Sequence, residues 1–157
     1  MKTSEEGIRL IKESEGLVLR TYKCQAGVPT IGYGHIEGVK PNMEITEEEA
    51  NYLLSKDIVK YEDAVNKYVK VELKQCQFDA LVDFTFNEGE GALRSSTLLR
   101  MINGGASDDD ICAEFRKWNK VKEFSLINGR MQYRYKSSEG LSKRRDREVK
   151  LWLKHLL

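Results

Sequence analysis

The stretch EGLVLRTYKCQAGVPTIGYGH, residues 15–35, decides the fold because a helix ends there and a short sheet begins. Glu15 stands at the C-terminal end of a predicted helix that Gly16 ends. Segments 17–23 and 28–36 are rich in β-branched and aromatic residues with glycines between them, which predicts a small twisted antiparallel sheet. Cys24 and Thr30 lie in this sheet region and join Glu15 as candidates for chemistry.

Helical patterns fill most of the remaining chain. Thr46 and Glu49 form a capping box before apolar residues at helical spacing, which predicts a helix of roughly 20 residues. Thr3 and Glu6 predict a second capping box at the first helix. Further helices are predicted at 77–87, which is apolar on most sides and therefore central, at 97–102, after Ser107 and at about 139–155. Residues 119–137 are the least periodic and predict a hairpin or a long loop.

Composition bounds the class of protein. At 157 residues, with 40% hydrophobic and 32% charged residues, the chain is expected to form a single soluble globular domain. A net charge of +1 gives no support to a nucleic-acid binder that relies on a global positive field. Cys24, Cys76 and Cys112 cannot all pair and are expected to be reduced thiols. Because no apolar run is long enough for a secretory core or a membrane span, we expect cytoplasmic residence and no stable membrane association.

The quoted stretch resembles the catalytic hairpin of the phage-type lysozymes, or endolysins, of glycoside hydrolase family 24. Their signature is a Glu, eight residues, an Asp or sometimes a Cys, five residues and a Thr, which falls here on Glu15, Cys24 and Thr30. The resemblance continues in the family's order through GVKP, FDALVDFTFN, STLLRMINGG, FRKWN and GLSKRRDRE, so it covers most of the chain.

This resemblance implies a mainly helical α+β fold with two lobes in one domain spanning 1–157. A small antiparallel β lobe, with the N-terminal helix, is expected at about 1–45, a linking helix at about 47–67 and a helical lobe at about 75–157. The cleft is expected between the lobes. Residues 119–137 are longer than the short Gly-rich connection of some family members.

The resemblance also implies a function. The expected reaction is hydrolysis of the β-1,4 bond between N-acetylmuramic acid and N-acetylglucosamine in peptidoglycan, which lyses the host cell. No cofactor and no metal are expected. The chain is expected to act as a monomer, to stay in the host bacterial cytoplasm until a holin-type protein releases it, and to bind no nucleic acid.

Residue roles follow from the same resemblance. Glu15 corresponds to the general acid, Cys24 replaces the usual aspartate, and Thr30 corresponds to the residue that positions the attacking water. Because the thiolate is the reactive form, Cys24 needs a cationic or donor-rich neighbourhood to act at neutral pH. A passive apolar role for Cys24 stays open, as does the stereochemical outcome.

Four further residues are candidates for substrate binding or support. Tyr33 either faces sugar or packs, and His35 could serve a Cys-His peptidase, although the matching family His supports the fold. The run KRRDR, 143–147, is typical of a solvated helix face, whereas the resemblance suggests that Arg144 or Arg145 pairs with Glu15.

Two other functions stay open on the sequence. A wall-binding module could have kept the cleft but lost turnover when Asp became Cys. A lytic transglycosylase would cut the same bond without water and leave an anhydro sugar.

Overall fold

The computed structural model describes all residues 1–157, and it contains seven α-helices and two separate two-stranded antiparallel sheets. The mainly helical α+β architecture predicted from the sequence is confirmed. In chain order the elements are α1 Glu5–Glu15, β1 Val18–Lys23, β2 Pro29–Gly32, α2 Glu47–Tyr68, α3 Gln75–Glu88, α4 Glu90–Ser95, α5 Thr97–Asn103, α6 Asp108–Arg116, β3 Lys120–Ile127, β4 Arg130–Ser137 and α7 Glu139–Trp152, followed by a 3₁₀ turn at Leu153–Leu156.

The first sheet pairs β1 with β2 and brings Cys24 close to Thr30. Tyr22, two residues before Cys24, lies opposite Thr30 in the register. Cys24 follows β1 directly and opens a tight turn, in which the Gly27 N–H donates to the Cys24 carbonyl at 2.8 Å and the Cys24 N–H donates to the Val28 carbonyl at 3.1 Å. Gly27 takes a φ of 76°, which a residue with a side chain rarely adopts. The turn therefore fixes Cys24 near Thr30.

Helix α2 connects this sheet with the helical part of the molecule. The predicted capping box is confirmed, because Thr46 Oγ1 accepts from the Glu49 N–H at 3.1 Å and a Glu49 carboxylate oxygen accepts from the Thr46 N–H at 2.7 Å. The helix has 22 residues and is therefore about 33 Å long. It packs against β2 at one side and against α3 at another, so it spans both lobes.

Helix α3 is the centre of the core, as its apolar sequence predicted. Phe78, Leu81 and Phe84 on this helix are fully buried, and Phe84 meets Phe115 and Trp118 in edge-to-face contacts. Helices α1, α2 and α7 all pack on α3. The first helix, which the sequence analysis grouped with the β lobe, thus contacts the helical lobe as well.

The capping box predicted for Thr3 and Glu6 is wrong. Ser4 is the N-cap of α1, since its hydroxyl accepts from the Gly7 N–H, and its own N–H and hydroxyl donate to Asp79 on α3. The Thr3 N–H donates to Glu62 on α2 at 2.7 Å. Two buried carboxylates from other helices therefore determine where α1 begins, and a local pattern could not contain that information.

Residues 119–137 form the hairpin that was one of the two predicted alternatives. Strands β3 and β4 pair along their whole length, from Lys120 opposite Ser137 to Ile127 opposite Arg130. Asn128 and Gly129 join them with φ values of 51° and 72°, as a type I′ turn requires. The two strands pack on each other and have no comparable packing against any other element.

None of the helices combines the length and apolar character that crossing a bilayer requires.

Candidate active site

Glu15 is held at the end of α1 by the helix terminus and by an arginine. Gly16 takes a φ of 73° and its N–H donates to the Lys12 carbonyl at 2.9 Å, which ends the helix directly after Glu15. Arg144 Nη1 donates to Glu15 Oε1 at 2.6 Å. The other oxygen, Oε2, faces Gly34, where an added Cβ would lie 3.4 Å from it. With 21% of its side chain exposed, Glu15 is shielded but reachable.

Arg144 is itself anchored by a buried aspartate. Its Nε and Nη2 donate to the two Asp83 carboxylate oxygens at 3.1 and 2.8 Å, a bidentate arrangement. Burial alone would lower the pKa of Arg144, but the charges of Asp83 and Glu15 raise that pKa above its ordinary value. The guanidinium thus stays charged and fixes one oxygen of Glu15.

Arg145 points into a different part of the helical lobe. Its guanidinium donates to Glu88, Asn87 and Glu148 and lies over the Phe84 ring at 5.1 Å. The arginine that pairs with Glu15 is therefore Arg144. The interpretation of this run as a solvated helix face is wrong for both arginines, because they are only 5% and 0% exposed.

Glu148 completes a buried group of charges behind Arg144. Burial, followed by the negative charge of Asp83, raises the pKa of Glu148 well above its ordinary value, while Arg145 and Arg144 act in the opposite direction. Its Oε1 accepts from Arg145 Nη2 at 2.6 Å, and its Oε2 has no hydrogen-bond partner in the protein. Charged groups of α3 and α7 thus meet around Arg144, which in turn contacts Glu15.

A hollow of about 200 Å³ opens beside Glu15. Polar and aromatic groups from the β lobe, α2 and α3 line it together: Glu15, Gly34, Ile36, Glu37, Asp57, Lys60, Tyr61, Phe86 and Asn87. Its position between the lobes agrees with the expected cleft. Cys24 and Thr30 do not line this hollow.

Cys24 and Thr30 lie together at the turn end of the first sheet. The main-chain N–H groups of Val28 and Ala26, joined by the Thr30 hydroxyl, lower the pKa of the Cys24 thiol, while partial burial acts against them. Thr30 is only 3% exposed, and its hydroxyl donates its single proton to the Val28 carbonyl at 2.9 Å in this structure, so the turn N–H groups are the main donors to Cys24. The expected donor-rich neighbourhood of Cys24 thus comes from the turn itself.

Tyr22 is a further residue of this region that the sequence analysis missed. Burial raises the pKa of Tyr22, and the negative charges of Glu15 and Cys24 raise it further. Residues two apart on a strand share a face, so the spacing of Tyr22 from Cys24 was the available signal. The charges of Glu15 and Cys24 thus both act on this phenol.

Tyr33 and His35 take supporting places. Tyr33 is 7% exposed in the core, with the Lys12 ammonium 5.5 Å from its ring centre, so it packs. His35 contacts Asp57 through Nδ1 at 2.7 Å and the Glu37 carbonyl through Nε2 at 2.8 Å. Both ring nitrogens are occupied, which leaves neither for Cys24.

Metal-ligating side chains do not converge in this molecule. No group of three or more His, Cys, Asp or Glu side chains is arranged to hold an ion. All three cysteines are unpaired, with Cys24 and Cys76 partly exposed and Cys112 buried.

Comparison with known families shows to which family the chain belongs. The family model "Phage lysozyme" matches residues 12–148, a range that includes Glu15, Cys24, Thr30 and Arg144. The chain belongs to the phage lysozyme family. It is thus a glycoside hydrolase of the lysozyme class, as the resemblance noted in the sequence implied.

Individual relatives agree with this family. The endolysin of Bacillus phage B103 is 44% identical over 98% of this chain, although the chain spans only 54% of that protein. The endolysin of Acyrthosiphon pisum secondary endosymbiont phage 1 is 40% identical, over 97% of this chain and 98% of that protein. Among solved structures, the muramidase domain of SpmX from Asticaccaulis excentricus superposes with a TM-score of 0.85 at 34% identity, covering 97% of both chains. The lysozyme-like fold is thereby confirmed.

Proposed function

We propose that this chain hydrolyses the β-1,4 bond between N-acetylmuramic acid and N-acetylglucosamine in peptidoglycan and thereby lyses a bacterial host. The observation that carries the proposal is the position of Glu15. One of its oxygens is fixed by Arg144, and the other faces the interlobe hollow at Gly34. Cleavage of a glycosidic bond needs such an acid group together with a second group that activates water or attacks the anomeric carbon.

Glu15 serves as the general acid. Its Oε2 gives a proton to the glycosidic oxygen as the bond to the anomeric carbon breaks. Because Arg144 occupies Oε1, Oε2 is the oxygen left to carry that proton. Gly34 leaves space for a sugar to approach this oxygen, since a side chain there would contact it.

Cys24 serves as the second catalytic group. Its thiolate takes a proton from a water molecule while the oxygen of that water bonds to the anomeric carbon, and the Thr30 hydroxyl orients the water. The lowered pKa of Cys24 supports this role, because it increases the fraction of thiolate at neutral pH. Tyr22, on which the charges of Glu15 and Cys24 both act, contacts the bound sugar.

The cellular setting is part of the same proposal. The chain works as a monomer on cell-wall polysaccharide, waits in the host cytoplasm and reaches the wall once a holin-type protein opens the membrane. It needs no metal and no cofactor, and it binds no nucleic acid. The endolysins among its relatives support this setting.

Turbidity loss of purified peptidoglycan tests the reaction. Glu15→Gln is expected to lower the rate by about 10²–10⁴-fold, the contribution of a general acid. Glu13→Gln is the matched control, because Glu13 is exposed on the same helix. Full turnover in Glu15→Gln would remove the mechanism. Wall binding without lysis by the unaltered chain would instead establish the non-catalytic binding module.

The role of Cys24 needs its own pair of variants. Cys24→Ser is expected to lose most activity, whereas Cys24→Asp, which restores the family's usual residue, is expected to keep it. Cys76→Ser is the control and should behave as the unaltered chain. Mass spectrometry of the released fragments separates hydrolysis from the lytic transglycosylase, since only the latter yields an anhydro sugar.

A further inference from the structure

The hairpin formed by β3 and β4 has two faces of different character. Cross-strand partners share a face, and on one face these pairs are Lys122 with Tyr135, Phe124 with Tyr133, and Leu126 with Met131. The opposite face is more polar, with Glu123 opposite Arg134, Ser125 opposite Gln132, and Val121 and Ile127 each opposite a cation. We call the first of these, with Phe124, Leu126, Met131, Tyr133 and Tyr135, the apolar face.

The apolar face is not covered by the rest of the molecule. Its five large side chains are 58–70% exposed, and the hairpin has no substantial packing against any helix. At roughly 150–200 Å² for each side chain, the exposed apolar surface is on the order of 500 Å², as much as monomeric proteins usually show in a functional patch. A two-stranded hairpin is at best marginally stable alone in water, so a surface of this kind indicates a binding partner.

The hairpin is also basic. Residues 120–137 contain five Lys or Arg and one Glu, a formal charge of +4, whereas the whole chain carries +1. Lys120 and Lys122 lie on the apolar face at its base, with the Lys122 ammonium 4.9 Å from the Tyr133 ring centre. Moving toward the tip, the side chains on this face change from lysine and tyrosine to leucine and methionine.

We propose that the hairpin is a reversible binding site for an anionic lipid surface. Aliphatic side chains at the tip, aromatic rings behind them and lysines at the base match the successive acyl, interfacial and headgroup layers of a bilayer leaflet. Lys120 and Lys122, which lie on the apolar face itself, complement anionic headgroups, and the +4 formal charge of the whole hairpin favours its approach to such a surface. In this arrangement the apolar face enters the interface and the polar face stays in water.

A glycan is a weaker match for the same face. No hairpin residue lines the hollow beside Glu15, so the face does not continue the proposed polysaccharide cleft. Leu126 and Met131, the most exposed side chains of the face, offer no hydrogen bond to a sugar hydroxyl. The lipid proposal does not depend on the hydrolase function.

Flotation with vesicles tests the proposal on the whole chain without peptidoglycan. We expect the unaltered protein to float with vesicles of equal parts phosphatidylglycerol and phosphatidylcholine, to remain behind with pure phosphatidylcholine, and to be released by added salt. Leu126→Ser combined with Met131→Ser should weaken binding to the anionic vesicles by at least about tenfold. Ser125→Ala combined with Gln132→Ala, between the same strands but on the polar face, should leave binding unchanged.

Further measurements distinguish loss of lipid binding from an altered fold and from binding to another partner. Thermal unfolding and activity on purified peptidoglycan should be the same for both double variants, because the hairpin has no substantial packing against any other element. Equal flotation of the two double variants, or none by the unaltered protein, would overturn the proposal. So would self-association that depends on Leu126 and Met131, or peptidoglycan binding by the Glu15→Gln protein that depends on them while vesicle binding does not.

Discussion

The pKa of the Cys24 thiol is lowered by the backbone of a turn and by no cationic side chain. The causes are the N–H groups of Val28 and Ala26 together with the Thr30 hydroxyl. A carboxylate at this position would accept hydrogen bonds from the same N–H groups. In the proposed mechanism the turn therefore serves a thiolate as it would serve an aspartate.

Alkylation of Cys24 should rise at a lower pH than alkylation of an ordinary cysteine. Because only the thiolate reacts, a lowered pKa moves the midpoint of the rate against pH below about 8.5. Iodoacetamide rates in a Cys76→Ser, Cys112→Ser background measure this midpoint. Thr30→Val removes one donor and should move the midpoint upward.

Cys112 provides the internal comparison for this titration. Burial raises the pKa of the Cys112 thiol, so a chain that keeps only this cysteine should react slowly and with a midpoint above that of Cys24. If the alkylation rates of the two single-cysteine chains had the same midpoint pH, the turn donors would not be lowering the pKa of Cys24.

Gly34 lies where any side chain would disturb Glu15. Its φ is 82°, and an added Cβ would lie 3.4 Å from Glu15 Oε2. Gly34→Ala should therefore lower the free energy of unfolding by about 1–2 kcal/mol, the cost of a left-handed conformation, and should also reduce turnover at least about tenfold. Denaturant unfolding and turbidity assays measure the two effects.

Gly38→Ala separates backbone strain from crowding. Gly38 has a φ of 69° but open space around its Cα, so this variant should lose similar stability and keep its activity. Equal activity losses in the two variants would mean that backbone strain in the β lobe explains the effect, rather than contact of the new side chain with Glu15.

At the level of helices and strands, local signals were predictive where no distant group interferes. The capping box at Thr46 and the Ser107 cap follow from neighbouring residues, and both are present. Thr3 and Glu6 matched the same pattern but do not form the cap, because Glu62 and Asp79 on other helices bind Thr3 and Ser4.

The site was less predictable than the elements that carry it. Neighbouring residues on a helix point about 100° apart, so the sequence could not choose between Arg144 and Arg145 without knowing where Asp83 lies. Asp83 lies 61 positions away in the sequence, so no local pattern identifies it as the partner of Arg144. Tyr22 was missed because an exposed tyrosine on a strand is unremarkable until Glu15 is seen beside it.

Glu62 attaches the start of α1 to α2, and its contribution to stability should depend on pH. Burial alone would raise the pKa of Glu62, but hydrogen bonds from Thr3 and Lys2 lower it below the ordinary value. A lowered folded pKa gives stability that is present above the unfolded pKa and is lost as pH falls through the folded value. Glu62→Gln should therefore cost about 1–3 kcal/mol at pH 7.

Denaturant unfolding of the two proteins across pH measures this contribution. The difference in unfolding free energy between Glu62→Gln and the unaltered chain should shrink below about pH 4, where the carboxylate becomes protonated. Glu72→Gln, at an exposed carboxylate, should change little at any pH. If the difference in unfolding free energy stayed constant from pH 7 to pH 2, packing rather than the charge of Glu62 would link this residue to the N-terminal segment.

At the scale of the whole molecule, Arg144 links three helices, α1, α3 and α7. It contacts Glu15 on α1 and Asp83 on α3 from its own place on α7. Arg144→Gln leaves the fully buried Asp83 without its charge partner and should cost about 3–5 kcal/mol. Adding Asp83→Asn should recover much of this stability, since the unpaired buried charge is gone.

Activity distinguishes the two consequences of this change. Both the single and the double variant should turn over slowly, because Glu15 has lost the partner that holds Oε1. Arg116→Gln, which breaks an exposed pair with Asp146, should cost less than about 1 kcal/mol and leave activity intact. Full additivity of Arg144→Gln and Asp83→Asn would contradict a direct coupling between the two side chains.

The family and the mainly helical fold predicted from the sequence are confirmed at this scale. The expectation of no stable membrane association rested on apolar runs, which reveal spans and anchors. It did not consider alternation in residues 120–137, where an apolar face forms only after the strands have paired. Two-residue periodicity in a segment with no apolar run is easily overlooked.

The contact between Glu15 and Arg144 joins positions 129 residues apart. During translation, the carboxylate emerges early and its arginine partner is added only near the end of synthesis. The surroundings of Glu15 are therefore completed after most of the chain has been made, and a product that terminates before residue 144 lacks this contact.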